Sequence, residues 1–167
     1  MMETPEKGDF IRADDWMETS KELLEEGKKI KIVPHGNSMF PFWASDRDSI
    51  IIGKIEKELK RGDIVLYRRE NGIHVAHTIY KIDKGKFFML GDSQTDIEGP
   101  LVREQIIGIV ETIIRKNKTI HCDNLWYIIL HNGWLRLRII RPFLIQTWLL
   151  LGRLRSKGES KSNEHRN

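Results

Sequence analysis

A single cysteine, Cys122, is present in the chain, which excludes an intramolecular disulfide and any need for an oxidising compartment. His121 and Asp123 flank it, but no second cluster of metal-ligating residues completes a set, so no metal centre is expected. Long apolar runs are also missing. The charge-free stretches in the C-terminal part, Asn124 to Leu135 and Pro142 to Gly152, are twelve and eleven residues long where a membrane-spanning helix needs about 20. Residues 1–15 carry five acidic side chains against Lys7 and Arg12, with no basic segment backed by an apolar one, so no secretory signal is expected. There is no internal repeat.

What is there suits one domain with appendages. The 167 residues are 40% hydrophobic and 31% charged, enough for a real core in a soluble, globular body. Charge is unevenly placed: the last 34 residues hold eight Lys/Arg against two Glu, a net of +6, and leave the rest near neutral at −2. That excess points to an anionic partner surface, membrane or nucleic acid.

Taken in order, residues 1–12 are a polar lead-in with Pro5 and Gly8. From Asp14 or Asp15 to about Glu26 the pattern is helical, with Trp16, Leu23 and Leu24 on one side and Gly27 as the stop. Strand-like runs follow near 29–34, 49–53, 63–68, 73–82, 86–90 and 106–115, separated by turns at Arg61-Gly62-Asp63, Glu70-Asn71-Gly72 and Lys84-Gly85-Lys86. Short strands with close turns and no long helix between them predict a mainly antiparallel β domain over 13–118, counting the N-terminal helix. Residues 119–155 form an amphipathic, basic and aromatic segment, with Trp126, Tyr127, Trp134, Phe143 and Trp148 among five arginines. Between 124 and 155 it either lies on an anionic membrane surface, arginines toward the headgroups, or folds back over the β body. Residues 156–167 are a polar, disordered tail.

Three segments carry chemistry. Gly36-Asn37-Ser38-Met39-Phe40-Pro41 follows a short strand and can hold the Ser38 hydroxyl where a peptide reaches it, although Gly-Asn-Ser is also ordinary turn chemistry. Serine needs a base, and in Ile73–Ile79 alternation places His77 in the apolar file with Val75 and Ile79, and His74 on the other side. His77 is therefore the candidate base; His35, nearer in sequence, ranks second, and a satisfied core histidine is the plainer alternative. An imidazole base works better with a partner that fixes its tautomer. Asp92 and Asp96, in the Gly-Asp-Ser-Gln-Thr-Asp loop after Leu90, are the candidates, and either can reach the ring; as a plain loop, Asp92 would make an Asx turn and Asp96 would be solvated.

The ordered set Gly-Asn-Ser-Met-Phe-Pro, Arg61-Gly62-Asp63-Ile64-Val65-Leu66-Tyr67, Val75-Ala76-His77-Thr78-Ile79, Leu90-Gly91-Asp92 with Asp96, and Ile106-Ile107-Gly108-Ile109-Val110 resembles the signal peptidase I and LexA-like serine peptidase superfamily. The likeness covers roughly residues 28–115, about half the chain. Within it the Ser-Met-x-Pro nucleophile falls on Ser38 and the general base, histidine in the endoplasmic-reticulum and archaeal type, on His77. Asp92 and Asp96 take its acidic positions. The resemblance implies an antiparallel, β-barrel-like fold and cleavage of an extended precursor or leader peptide that pairs with a strand edge. It implies no metal and no organic cofactor.

Three departures stand out. The serine that commonly lies two residues before the nucleophile is Gly36, so a side-chain helper of the oxyanion hole is missing. The usual His-Arg pair is His77-Thr78. The family's N-terminal membrane anchor is absent, and with it the expected location becomes cytoplasmic, peripheral at the inner membrane face. The leading expectation is a Ser-His(-Asp) endopeptidase; the alternative is a non-catalytic module holding a peptide on the same fold. A self-cleaving repressor fits poorly, because 37 residues before Ser38 leave little room for a DNA-binding domain and linker, and nucleic acid is not the expected partner.

Overall fold

A computed structural model describes residues 13–45, 47–116, 118–148 and 150, with side chains from Thr19 onward. The lead-in 1–12 and the tail 156–167 lie outside the described residues, as does the Trp16 side chain.

The N-terminal helix α1 runs Ala13–Glu25. It stops as the sequence predicts: Gly27 takes φ 78°, its N–H donates to the Leu24 carbonyl, and the Lys28 N–H donates to that of Leu23 at 2.9 Å. That paired closure satisfies helix-end carbonyls and favours glycine, which has no Cβ to clash in the left-handed region. Leu24 then inserts into the core, 2% exposed.

Eight strands follow: β1 (Ile30–Ile32), β2 (Asp48–Gly53), β3 (Ile64–Arg68), β4 (His74–Asp83), β5 (Lys86–Leu90), β6 (Glu98–Leu101), β7 (Ile106–Arg115) and β8 (Lys118–His121). They form one antiparallel sheet in the order β1-β2-β7-β3-β4-β5-β6, with β8 paired to β7. The sheet is open. Its end strands β1 and β6 are not paired with each other, so among the described residues the barrel-like fold implied by the resemblance is an open sheet.

Each face of β3 packs into its own core, because successive side chains point to opposite sides. Ile64 and Leu66 of β3 join Leu24, Met39, Trp43, Ile50, Ile52, Val110 and Ile113 in one core. Val65 and Tyr67 join Leu59, Ile79, Phe87, Met89, Leu101 and Ile106 in the other.

Six strands match the expected runs to within one or two residues. Two were not expected. β6 reads Glu-Gly-Pro-Leu, and a proline, which has no N–H to give a ladder, is tolerated at a sheet edge, where β6 lies. β8 follows a tight turn at Lys116, φ 46°, and carries the β body past the expected limit at 118.

The segment after β8 is not an appendage. Helix α2 (Leu125–Arg136) starts where Asn124 accepts a hydrogen bond from the Trp126 N–H at 2.9 Å, a side-chain cap for an otherwise unpaired donor. Residues 141–148 are helical again. His131, Leu135 and Arg141 from this region are 1%, 0% and 0% exposed. Of the two arrangements left open for 124–155, folding back over the body is the one observed for these buried side chains.

Candidate active site

Ser38 is placed by its neighbours. Met39 and Trp43 are anchored in the first core at 1% and 2% exposure. The intervening chain is tied by Arg115, whose guanidinium donates to the main-chain oxygens of Pro41 and Phe42. Arg115 and Arg47 both pair with the buried carboxylate of Asp48. Burial would push that carboxyl up, but the hydrogen bonds from Arg47 and Arg115 more than offset it, and its pKa lies below the ordinary value. Ser38 is left half-buried at the edge of this framework.

His77 meets it. The Ser38 Oγ lies 3.0 Å from His77 Nε2. The ring is 2% exposed on the second-core face of β4, where its cross-strand partner is Val65 and Tyr67 sits one diagonal step away. The Tyr67 hydroxyl is 3.0 Å from His77 Nδ1 and donates to Glu98 Oε2 at 2.8 Å. Glu98 in turn receives Arg69 Nε and Nη2, each at 2.6 Å.

This chain of contacts assigns the protons. Burial alone would raise the Glu98 carboxyl, yet the hydrogen bonds from Arg69 and Tyr67 hold it below its usual pKa, so it is ionised and accepts only. Tyr67 has one proton and gives it to Glu98; its own pKa is raised by burial and by the neighbouring carboxylate. The phenol oxygen must then accept from His77 Nδ1–H. His77 Nε2 is left with its lone pair toward the Ser38 hydroxyl, the tautomer a general base requires.

Charge on His77 is disfavoured as well. Burial is the largest effect, and it lowers the pKa to about 4, with Arg69 acting in the same direction and Glu98 against it. The imidazole is therefore neutral at neutral pH. Between the ordinary 6.5 and about 4 the unfolded chain binds this proton and the folded chain does not. The stability this group contributes is thus complete above 6.5 and is lost as pH falls toward 4.

The expected aspartates stand elsewhere. Asp92 is fully buried, but its carboxylate oxygens each lie 3.2 Å from His131 Nε2, which is also 3.2 Å from Thr78 Oγ1. Thr78 follows His77 in β4, so its side chain leaves the opposite face of the strand. Asp92 serves that face, and the hydrogen bonds of His77 run to Ser38 and Tyr67 instead. Asp96 and His35 are exposed. Residues 67, 69 and 98 were missed because Tyr67 looks like a core aromatic and Glu98 lies in a Gly-Pro strand that has no alternation to read.

The 91–96 loop nevertheless shapes the site. Ser93 donates to the Ser38 carbonyl from its N–H at 2.8 Å and its Oγ at 3.1 Å. A Cβ on Gly91 would come within 2.8 Å of that same carbonyl, so only glycine allows the approach. The C-terminal helices hold the loop in place. Trp134 Nε1 donates to the Asp92 carbonyl at 2.7 Å, Arg138 to that of Thr95 at 2.9 Å, and Arg141 to those of Gly91, Gln94 and Trp134. Phe42, four residues after Ser38, packs edge-on against Tyr127, His131 and Trp134.

Arg141→Ala leaves those three carbonyls without their charged donor. A loss on the order of 2–4 kcal/mol is expected, read as a lower urea midpoint; an unchanged midpoint would mean the C-terminal helices do not support the loop.

A groove of about 300 Å³ runs beside the site, lined by Arg69, Glu98, Ser93, Thr95, Asp96 and Pro142 among others. Neither this groove nor a larger cleft of about 620 Å³, rimmed by Lys29, Lys54, Lys57, Lys60 and Arg61, includes Ser38 or His77 in its lining. Cys122 is a free thiol, pushed up to about 12 by burial. Among the described residues no three His, Cys, Asp or Glu side chains gather as a ligand set, and no helix is long and apolar enough to cross a membrane. Comparison with protein-family models, curated proteins and solved structures finds no match.

Proposed function

We propose that the protein is a serine endopeptidase of the Ser-His type, similar to the signal peptidase I and LexA-like superfamily, acting on an extended precursor or leader peptide. The observation that carries this is the 3.0 Å contact between Ser38 Oγ and His77 Nε2, with the opposite ring nitrogen held as a donor. His77 takes the hydroxyl proton as Ser38 attacks the peptide carbonyl. It returns that proton to the leaving amine, and an acyl-enzyme remains on Ser38. Water, deprotonated by the same imidazole, then releases the acid product and the serine.

Tyr67 and Glu98 take the positioning part that an aspartate plays in other serine hydrolases. As the imidazolium forms, its Nδ1–H remains bonded to a phenol polarised by an ionised carboxylate. With glycine at position 36, the carbonyl oxygen relies on main-chain donors around Ser38. The groove lined by Glu98 and by Ser93, which bonds the Ser38 carbonyl, is the course we assign to the peptide.

A fluorophosphonate serine probe tests this reading. It is expected to label Ser38, identified by peptide mapping, at a rate that holds from pH 7 downward and fails near pH 4 rather than 6.5. The sign follows from protonation: below its pKa His77 has no lone pair for the hydroxyl. No labelling at any pH would leave a peptide-binding module on the same scaffold as the better account.

A further inference from the structure

The C-terminal helices have a second face. While His131, Leu135 and Arg141 are buried, Leu125, Trp126, Ile129 and Leu130 of α2 are 67%, 73%, 52% and 66% exposed. Their spacing sets them along one side of the helix. Beyond α2, Ile139 and Phe143 are 82% and 69% exposed. Isolated exposed apolar residues are ordinary, whereas a concentration of this kind marks an interaction surface.

Charge indicates the occupant. From Asn124 to Gly158 the sequence has no Asp or Glu, while Arg136, Arg138, Arg153, Arg155 and Lys157 fall within it, in addition to the buried Arg141 that serves the 91–96 loop. Tryptophan, phenylalanine and leucine beside arginine, with no acid among them, is the composition of a helix that lies in the plane of a bilayer, apolar side chains below the headgroups and guanidinium groups among them. No described helix is long enough to cross.

The surface adjoins the candidate active site. The Trp148 ring is 5.1 Å from that of Phe40, two residues past Ser38, and Pro142 lines the groove that contains Glu98 and Ser93. We propose that the exposed face of the C-terminal helices seats the protein on an anionic lipid bilayer, with the groove lined by Ser93, Glu98 and Pro142 held at that surface. The placement holds whether or not Ser38 is a nucleophile.

Point variants test it better than truncation, since removing the helices would also strip the 91–96 loop of its donors. The full chain is expected to sediment with phosphatidylcholine vesicles containing phosphatidylglycerol, and roughly tenfold or more weakly with phosphatidylcholine alone. Leu130→Glu and Phe143→Glu, both on exposed side chains, are expected to weaken binding to the mixed vesicles roughly tenfold or more with an unchanged unfolding midpoint. Failure to sediment with mixed vesicles, equal binding to neutral ones, or unaltered binding of both variants would overturn the proposal. So would a dimer of the parent protein that these substitutions dissolve, because the face would then belong to a second copy of the chain.

Discussion

Ser38→Ala is expected to abolish peptide hydrolysis, by about 10⁴-fold or more, in a protein that remains folded. The substitution removes the attacking oxygen and one hydrogen bond to His77, and little else: the backbone is still fixed by Met39 in the core, by Arg115 on the following loop and by Ser93 on the Ser38 carbonyl. Loss of the Oγ partner costs about 1 kcal/mol, a small change in the unfolding midpoint. Activity and stability should therefore separate, which distinguishes a nucleophile from a structural serine. Undiminished turnover in the alanine variant would exclude Ser38 from the reaction.

The second large effect belongs to a residue that the sequence did not single out as part of the site. Tyr67→Phe keeps the ring in the second core and deletes the oxygen that accepts His77 Nδ1–H. Without that acceptor the imidazole can move its proton to Nε2, where it confronts the serine hydroxyl instead of receiving from it. A fall in kcat of roughly 10²–10⁴ is expected, with KM near its parent value because Tyr67 is wholly buried and cannot touch the peptide. Glu98→Gln should act in the same direction. It also removes the negative charge that favours protonation of His77, so its acid limb should move to still lower pH. Equal kcat in Tyr67→Phe would leave the hydroxyl as packing and reopen the question of what orients the base.

Much of this molecule is readable in the residue order because the signals are local. Gly27 ends a helix by its conformation, Glu70-Asn71-Gly72 turns β3 into β4, and runs of Ile, Val and Tyr report strands wherever one face meets apolar neighbours. The candidacy of Ser38 and His77 was legible too, through the hexapeptide after a short strand and a histidine in an apolar file.

Partner choice was not. Asp92 has the position and chemistry of an orienting carboxylate, and its loop does meet Ser38, but His131 arrives from α2 on the far face of β4 and takes it. Glu98 gave no warning, since Glu-Gly-Pro-Leu becomes a strand by lying along β5 at an edge, not by its own alternation. The C-terminal segment has enough apolar surface for both a buried and an exposed face, and composition cannot apportion them.

Residue order alone therefore settled the antiparallel β character and the turns, and named Ser38 and His77 as candidates, because hydrophobic period and glycine conformation act over a few neighbouring residues; that the two meet, 39 residues apart, was decided by the assembled chain. The identity of the group behind His77, the open ends of the sheet and the side of α2 that faces inward came from the assembled chain. Those depend on which strand lies beside which and on one-residue differences in facing, and they are decided by contacts between segments 30 to 50 residues apart, such as Tyr67 with Glu98 and Asp92 with His131.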